Sequence, residues 1–299
     1  MYDKSDPRSM LAPKGAPGGY RTGLIAEPQE AYFYRDAPQV HDAAGKTWLL
    51  RANNFVLAWS DATAGASFSR VGQSDEYAVL LPETGAVIEW NDQITEVPGW
   101  SLAFVPAGDS IVTLPDGGPM ARLFTTRAVD LAEQSLNARA YDIPRPHIPE
   151  FAPWPEPADG WKVRHYSLDV PREEGRFGRI FRCTTMMINV LDPYEGPRDT
   201  SKMSPHHHED FEQCSLAIKG EFSHHLRWPW TTDMADWRDD TVVTMESPSA
   251  LVIPPPVVHT TRAVGSATNQ LIDIFCPPRN DFSEKTGWVL NAEDYPMPS

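Results

Sequence analysis

The chemistry of this chain gathers in two short stretches, SPHHHEDFEQCSLAIKGEF (204–222) and ALVIPPPVVH (250–259). His206 and His208 stand two apart. On a strand, alternate side chains share a face, so both imidazoles point the same way. Neutral imidazole is the commonest protein ligand for first-row transition metals. Glu212 or Gln213 brings an oxygen donor from the next segment. His259, behind a proline turn, completes a four-donor set that leaves coordination positions open for water, oxygen or substrate. Adjacent histidines also occur on solvated surfaces. This tract is internal, embedded in strand pattern and followed in order by the Gly220 turn and the Pro254…His259 element, which marks a metal site.

Positioning such donors takes a real core, and the composition provides one. The chain has 299 residues, 41% apolar and 22% charged. Its 29 prolines and 19 glycines fit a turn-rich β protein and stay below the disordered range. The net charge of −15 argues against nucleic acid or an anionic membrane as partner. No apolar run reaches the length of a membrane span, and the N-terminus carries no signal-peptide pattern. The three scattered cysteines, Cys183, Cys214 and Cys276, suit the reducing cytoplasm. Cys214 and Cys276 read as small buried strand residues.

Strand-like runs dominate both halves. The first has 47–50, 55–59, 77–81, 86–90, 101–105, 110–114 and 121–126, with a short helix over 129–136. The second has 179–191, 214–218, 221–226, 241–245, 250–253, 259–263 and 270–275. Many short strands between Pro/Gly turns mean an all-β sandwich or barrel. The expected division is an arm over 1–19, a domain over 20–142, a Pro-rich linker over 143–160 and a second domain over 161–299. The halves match each other as a diverged repeat. Pro106 lies over Pro254, Gly85 over Gly220 and Ile111 over His259.

The two stretches resemble the paired motifs of the cupin superfamily. The first is H-x-H, three or four residues, Glu, six residues, Gly. The second is Gly, five residues, P-x-G, two residues, His. The resemblance covers about 25–285, both halves, and implies a bicupin: two tandem double-stranded β-helix, or jelly-roll, barrels. It places metal ligands at His206, His208 and His259, with one divalent ion, Fe(II) first and Mn(II), Ni(II) or Zn(II) behind it. The fourth ligand stays open. Counting back from Gly220 selects Gln213, charge favours Glu212, and strand parity admits only one. The narrow preference goes to Glu212. Pro256 and Pro248 stand where the second motif has its turn glycine and its starting small residue. In the first half, the ligand places hold Val71, Gln73, Tyr77 or Ala78, and Ile111, so that barrel is degenerate and its interior filled.

Between Gly220 and Pro254 the chain is long and carries Trp228, Trp230 and Trp237, as pocket lining or packing. His225 and Arg227 share strand parity and are the candidate catalytic residues, with Arg227 as an anion handle; Arg182 and Arg262 are weaker candidates for that role. The leading expectation is an Fe(II) dioxygenase acting on a small anionic or aromatic substrate. The alternatives are a redox-neutral isomerase, lyase or decarboxylase on a sugar acid or carboxylate, and a non-catalytic metabolite-binding protein. The expected partner is a small molecule, with a homodimer left open.

Overall fold

The structure, a computed structural model, describes residues 25–230 and 233–298. The expected N-terminal arm, 1–19, lies outside them. In chain order, the strands of the first half are β1 (Gln29–Tyr32), β2 (Val40–Asp42), β3 (Gly45–Arg51), β4 (Phe55–Ala62), β5 (Ala66–Gln73), β6 (Tyr77–Leu81), β7 (Ala86–Trp90), β8 (Gln93–Val97), β9 (Ser101–Val105), β10 (Gly108–Leu114) and β11 (Gly118–Thr125). Helix α1 (Val129–Gln134) follows. The second half has β12 (Arg164–Ser167), β13 (Arg179–Arg182), β14 (Met187–Val190), β15 (Tyr194–Glu195), β16 (Glu212–Lys219), β17 (Glu221–Arg227), β18 (Thr241–Glu246), β19 (Ser249–Ile253), β20 (Val258–Ala263) and β21 (Thr268–Cys276), then α2 (Asn280–Ser283).

Each half closes a large sheet against a small one. The first barrel sets β12-β9-β6-β11-β4-β3-β2 against β5-β10-β7-β8. The second sets β1-β19-β16-β21-β14-β13, with β15 beside β21, against β18-β17-β20. The fold is all-β, as two tandem jelly-roll barrels require. The run expected over 179–191 is a hairpin: β13 and β14 pair antiparallel, and the Cys183 amide closes the turn on the Met186 carbonyl. β5, ASFSRVGQ, escapes a hydrophobic reading because most of its residues are exposed or half-exposed.

The barrels exchange their first strands. β1 pairs with β19 of the second barrel, and β12 pairs with β9 of the first. The halves are therefore not separable at 142/161. The Pro-rich 143–160 segment is irregular, but it packs: His147 and Ile148 are buried, and His147 Nε2 accepts the Ala26 amide at 3.1 Å.

The two large sheets meet face to face in one apolar cluster. Phe55, Leu57, Leu80 and Phe104 from the first barrel pack with Leu216, Val252, Ile272 and Ile274 from the second. This explains the near-continuous apolar runs in these strands: one face lies in its own barrel and the other against the neighbour. Burying a large aliphatic or aromatic side chain stabilises by about 1.5–3 kcal/mol, so the shared face holds the barrels as one unit.

Candidate metal centre

β16 splits its side chains between these two faces. Gln213 and Ser215 point into the barrel, whereas Cys214 and Leu216 enter the shared apolar cluster. Glu212 goes with the second group. Its Oε2 accepts the Asn53 and Asn54 amides at 2.9 and 3.3 Å, and its Oε1 accepts the Tyr141 hydroxyl at 3.0 Å. All three donors belong to the first half. The preference for Glu212 as metal ligand is therefore corrected: it is fully buried between the barrels. Burial pushes its carboxyl up to about 7, against the hydrogen bonds from Tyr141, Asn54 and Asn53.

Gln213 faces the histidines. Its Oε1 lies 3.0 Å from His208 Nε2 and 3.2 Å from His259 Nε2. Its Nε2 donates to Ser215 Oγ and Asp273 Oδ1, each at 3.1 Å, which fixes the oxygen toward the rings. His206, His208 and His259 bring ring nitrogens within 4.8 Å of one another. His206 and His259 form an antiparallel bridge, with both backbone hydrogen bonds made. His207 points away and lies 3.7 Å from Glu209. The parity expected of a strand holds although this segment is otherwise irregular. Val257 closes the proline turn on the Pro254 carbonyl at 3.2 Å, with Pro256 at the glycine's place.

The donor set fits a cation. His206 Nδ1 meets the Ser204 carbonyl at 2.8 Å, and His259 Nδ1 meets the Val257 carbonyl at 2.9 Å. Each Nδ1 must donate there, so each Nε2 turns a lone pair inward. The Gln213 oxygen adds lone pairs to the same point, with no donor between it and His259. Burial holds His259 at about 4 and His208 at about 2, so both rings are neutral at neutral pH and each keeps one nitrogen lone pair. The lone pairs of His206, His259 and Gln213 thus converge on one point, and His208 Nε2, 3.0 Å from the same oxygen, joins them as a ligand when its proton sits on Nδ1.

A cavity of about 120 Å³ opens beside the site, with Phe177, Leu191, Arg198, Phe222 and Asp273 among its walls. The candidate catalytic residues are not on it. β17 turns Phe222 inward and His224 toward Thr261 of β20, with 2.9 Å between His224 Nδ1 and Thr261 Oγ1. His225 and Arg227 take the outer face, lining a second hollow that borders His259 from the other side, and Arg227 is an exposed partner of Asp240 at 2.6 Å. Their parity is shared but outward, and this corrects both assignments. The signal was Phe222: an apolar residue two before His224 marks the inward face. Arg182 binds the Tyr295 carbonyl instead, at 2.6 and 3.0 Å. Trp228 is buried under Arg238, while Trp230 and Trp237 stack on each other at 4.6 Å; none of the three lines the cavity.

Two residues of the site carried no sequence signal. Asp273 of β21 accepts from Gln213 and Ser215 on one oxygen, and burial pushes its carboxyl up to about 6. Arg198 donates to the Thr261 and Lys202 carbonyls and to Ser204 Oγ, and it has no acidic partner among the described residues.

Solved structures place this architecture in a known class. The oxalate decarboxylase of Lactobacillus farciminis in complex with formate superposes with a TM-score of 0.57 at 12% identity, over 83% of this chain and 85% of that one. AerE from Microcystis aeruginosa gives 0.54 at 10% identity, over 84% and 98%. Oxalate decarboxylase from Bacillus subtilis, a protein with Mn(II) centres, gives 0.55 at 12% identity, over 90% and 81%. No family model and no curated relative matches the sequence. The chain has the bicupin fold.

Proposed function

We propose that this protein is a mononuclear metal-dependent enzyme that converts a small carboxylate in a redox-neutral reaction of the lyase or decarboxylase kind. The observation that carries this reading is the orientation of Gln213. With the amide, not Glu212, facing three histidines, every protein donor is neutral. A divalent ion held there keeps its full charge and supplies Lewis-acid polarisation of a substrate carboxylate or carbonyl. Neutral donors also disfavour the oxidised metal, which sets oxygen activation second. His206, His208, His259 and Gln213 would hold the ion, with Mn(II) or Fe(II) the leading choices. Asp273 orients Gln213 through Oδ1, and its Oδ2, free of protein hydrogen bonds among the described residues, is the proton-transfer group on the cavity wall. Arg198 offers positive charge to the anionic end of the substrate. The cavity limits that substrate to a few heavy atoms, since a void of about 150 Å³ is filled by benzene. The formate of the Lactobacillus neighbour is of this size class. The three cysteines are buried and unpaired, which supports a cytoplasmic setting.

The test is turnover by Mn(II)- and Fe(II)-loaded protein with a panel of small carboxylates, oxalate included, while dissolved oxygen is followed. Product release without net oxygen uptake is expected. Stoichiometric oxygen uptake would return the Fe(II) dioxygenase reading to first place. Saturable binding with no turnover would make the protein a metabolite-binding cupin.

A further inference from the structure

The barrels can be superposed position by position from their ladders. Tyr77 pairs with Val105 as Gln213 pairs with Ile253, each partner directly before the proline of its half. Trp90 and Leu226 stand thirteen residues beyond Tyr77 and Gln213, and they pair with Ser110 and His259. So Tyr77 holds the place of Gln213, and Ser110 that of His259. The contact between these places survives, as a 2.9 Å hydrogen bond between the Tyr77 and Ser110 hydroxyls. Across the next strand, Arg122 faces Val79 as Asp273 faces Ser215. Arg70 faces Ser110 as His206 faces His259. An acid and a metal ligand of the second barrel are thus both arginines in the first.

These two arginines are treated differently. Arg70 is neutralised by Asp130, at 2.6 and 3.0 Å, and its Nε donates to Gln73. Arg122 is 8% exposed, and its side chain makes no hydrogen bond or ion pair among the described residues. Its Nε is sealed and unbonded, while its terminal nitrogens, also unbonded, are not sealed. Phe68 covers the guanidinium at 4.4 Å and Phe124 at 5.9 Å. Aromatic rings satisfy the faces of a guanidinium and leave its N–H edge unsatisfied. Burial lowers its affinity for the proton, to about 10, which leaves it charged at neutral pH. A buried charge without a partner is costly unless something neutralises it.

We propose that the first barrel binds a small carboxylate anion on the N–H edge of Arg122, in the region that corresponds to the metal centre of the second barrel. The planar fork of a guanidinium matches a carboxylate through two parallel hydrogen bonds. The Tyr77 and Ser110 hydroxyls border the same interior and offer further polar contact. The degenerate barrel is then not merely filled: the sign of its site is inverted, from one that holds a cation to one that holds an anion.

The experiment uses the full chain carrying His206→Ala and His259→Ala, so that no anion can bind through a metal. Formate and acetate are titrated calorimetrically, with chloride as the non-planar control. Saturable carboxylate binding is expected, weakened about tenfold or more when Arg122→Met is added, as befits loss of a charged hydrogen-bonding partner. Arg122→Lys should restore only part of it. No saturable binding, an unchanged affinity in Arg122→Met, or chloride binding as tightly as formate overturns the proposal. Should Arg122→Met fail to fold, crystals of the unsubstituted protein soaked in bromoacetate decide. An anomalous bromine peak beside Arg122 supports the proposal, and its absence there overturns it.

Discussion

The two barrels share a strand plan and differ in what they turn inward. The side chains aimed at the neighbouring barrel are nearly matched. Glu76, directly before Tyr77, accepts the Thr184 amide and hydroxyl, each at 2.9 Å, and the Tyr295 hydroxyl at 2.7 Å. Glu212, directly before Gln213, does the same with Asn53, Asn54 and Tyr141. In both, the amides come from the turn of a hairpin, β13–β14 or β3–β4, and the tyrosine follows the helix after the last strand. The strand exchange of β1 and β12 has the same reciprocity. Inward positions diverge completely: Gln213 against Tyr77, His259 against Ser110, Asp273 against Arg122. The outward set answers to the packing of the pair, which either barrel would lose if it changed. The inward set answers only to the contents of its own barrel, so chemistry can change there at little cost to the fold.

The largest expected consequence of this asymmetry is in metal content. His208→Ala and His259→Ala together should take the protein from about one bound divalent ion per chain to none, with the fold kept, because barrel packing holds the domain. Tyr77→Phe with Ser110→Ala should leave that stoichiometry unchanged. Asp273→Asn, which disturbs the group orienting Gln213, should weaken metal binding by about 10–100-fold. Elemental analysis and metal titration check all three, and retention of the ion in the double histidine variant would remove the metal centre from the second barrel.

The next effect is in stability, and it should be symmetric. Glu76→Ala strands three buried donors and Glu212→Ala strands one buried and two half-buried ones, and each should cost roughly 3 kcal/mol or more in denaturant unfolding. A large cost at one site alone would break the equivalence of the two halves. The pH dependence sharpens it. Burial raises both carboxyls, Glu212 to about 7 from the usual 4.5. Between those values the folded protein binds more protons than the unfolded chain. Stability from this group is therefore full below about pH 4.5 and falls by about 3 kcal/mol as pH rises to about 7. Glu212→Gln keeps the acceptor oxygen and should flatten that decline relative to the unsubstituted protein.

Much of this was legible in the sequence, because periodicity reports which strands exist. Most expected runs lie on observed strands, and the histidine triad converges as its spacing demands. The choice between Glu212 and Gln213 failed because both faces of β16 are buried, so no solvent-facing residue marks the parity. The repeat held the answer. A glutamate stands before the inward residue in both halves, including the half without metal ligands, so its role is not ligation. Setting Gly85 over Gly220 puts Tyr77 over Glu212 and hides this. The ladders place Gly85 level with Glu221, one residue away, and a register slip of one reverses every face. His225 and Arg227 differ in kind: shared parity says that they lie on one face of β17 but not which face, and Phe222, two before His224, is the residue that decides it. The strand exchange had no local signal at all, since it depends on contacts between residues more than fifty apart.

The smallest effect tests that register directly. The sequence alignment sets Ile111 over His259 and so inside the first barrel, where Ile111→Ala would open a cavity costing roughly 2–5 kcal/mol. The ladders put Ser110 there instead. β10 carries a register shift between Gly108 and Ser110, and the second half has one residue more between its proline and the site position. Ser110, Val112 and Leu114 are buried, whereas Ile111 is half-exposed between Ser69 of β5 and Glu89 of β7. Ile111→Ala should therefore cost less than about 1 kcal/mol, as for a partly solvated position that leaves no sealed void. Val112→Ala removes two methyl groups from the closed interior and should cost about 2 kcal/mol. Thermal and denaturant unfolding of the two variants, measured together, reads the difference. If the order reverses, Ile111 points inward, Ser110 leaves the place of His259, and the correspondence that sets Arg70 over His206 fails with it.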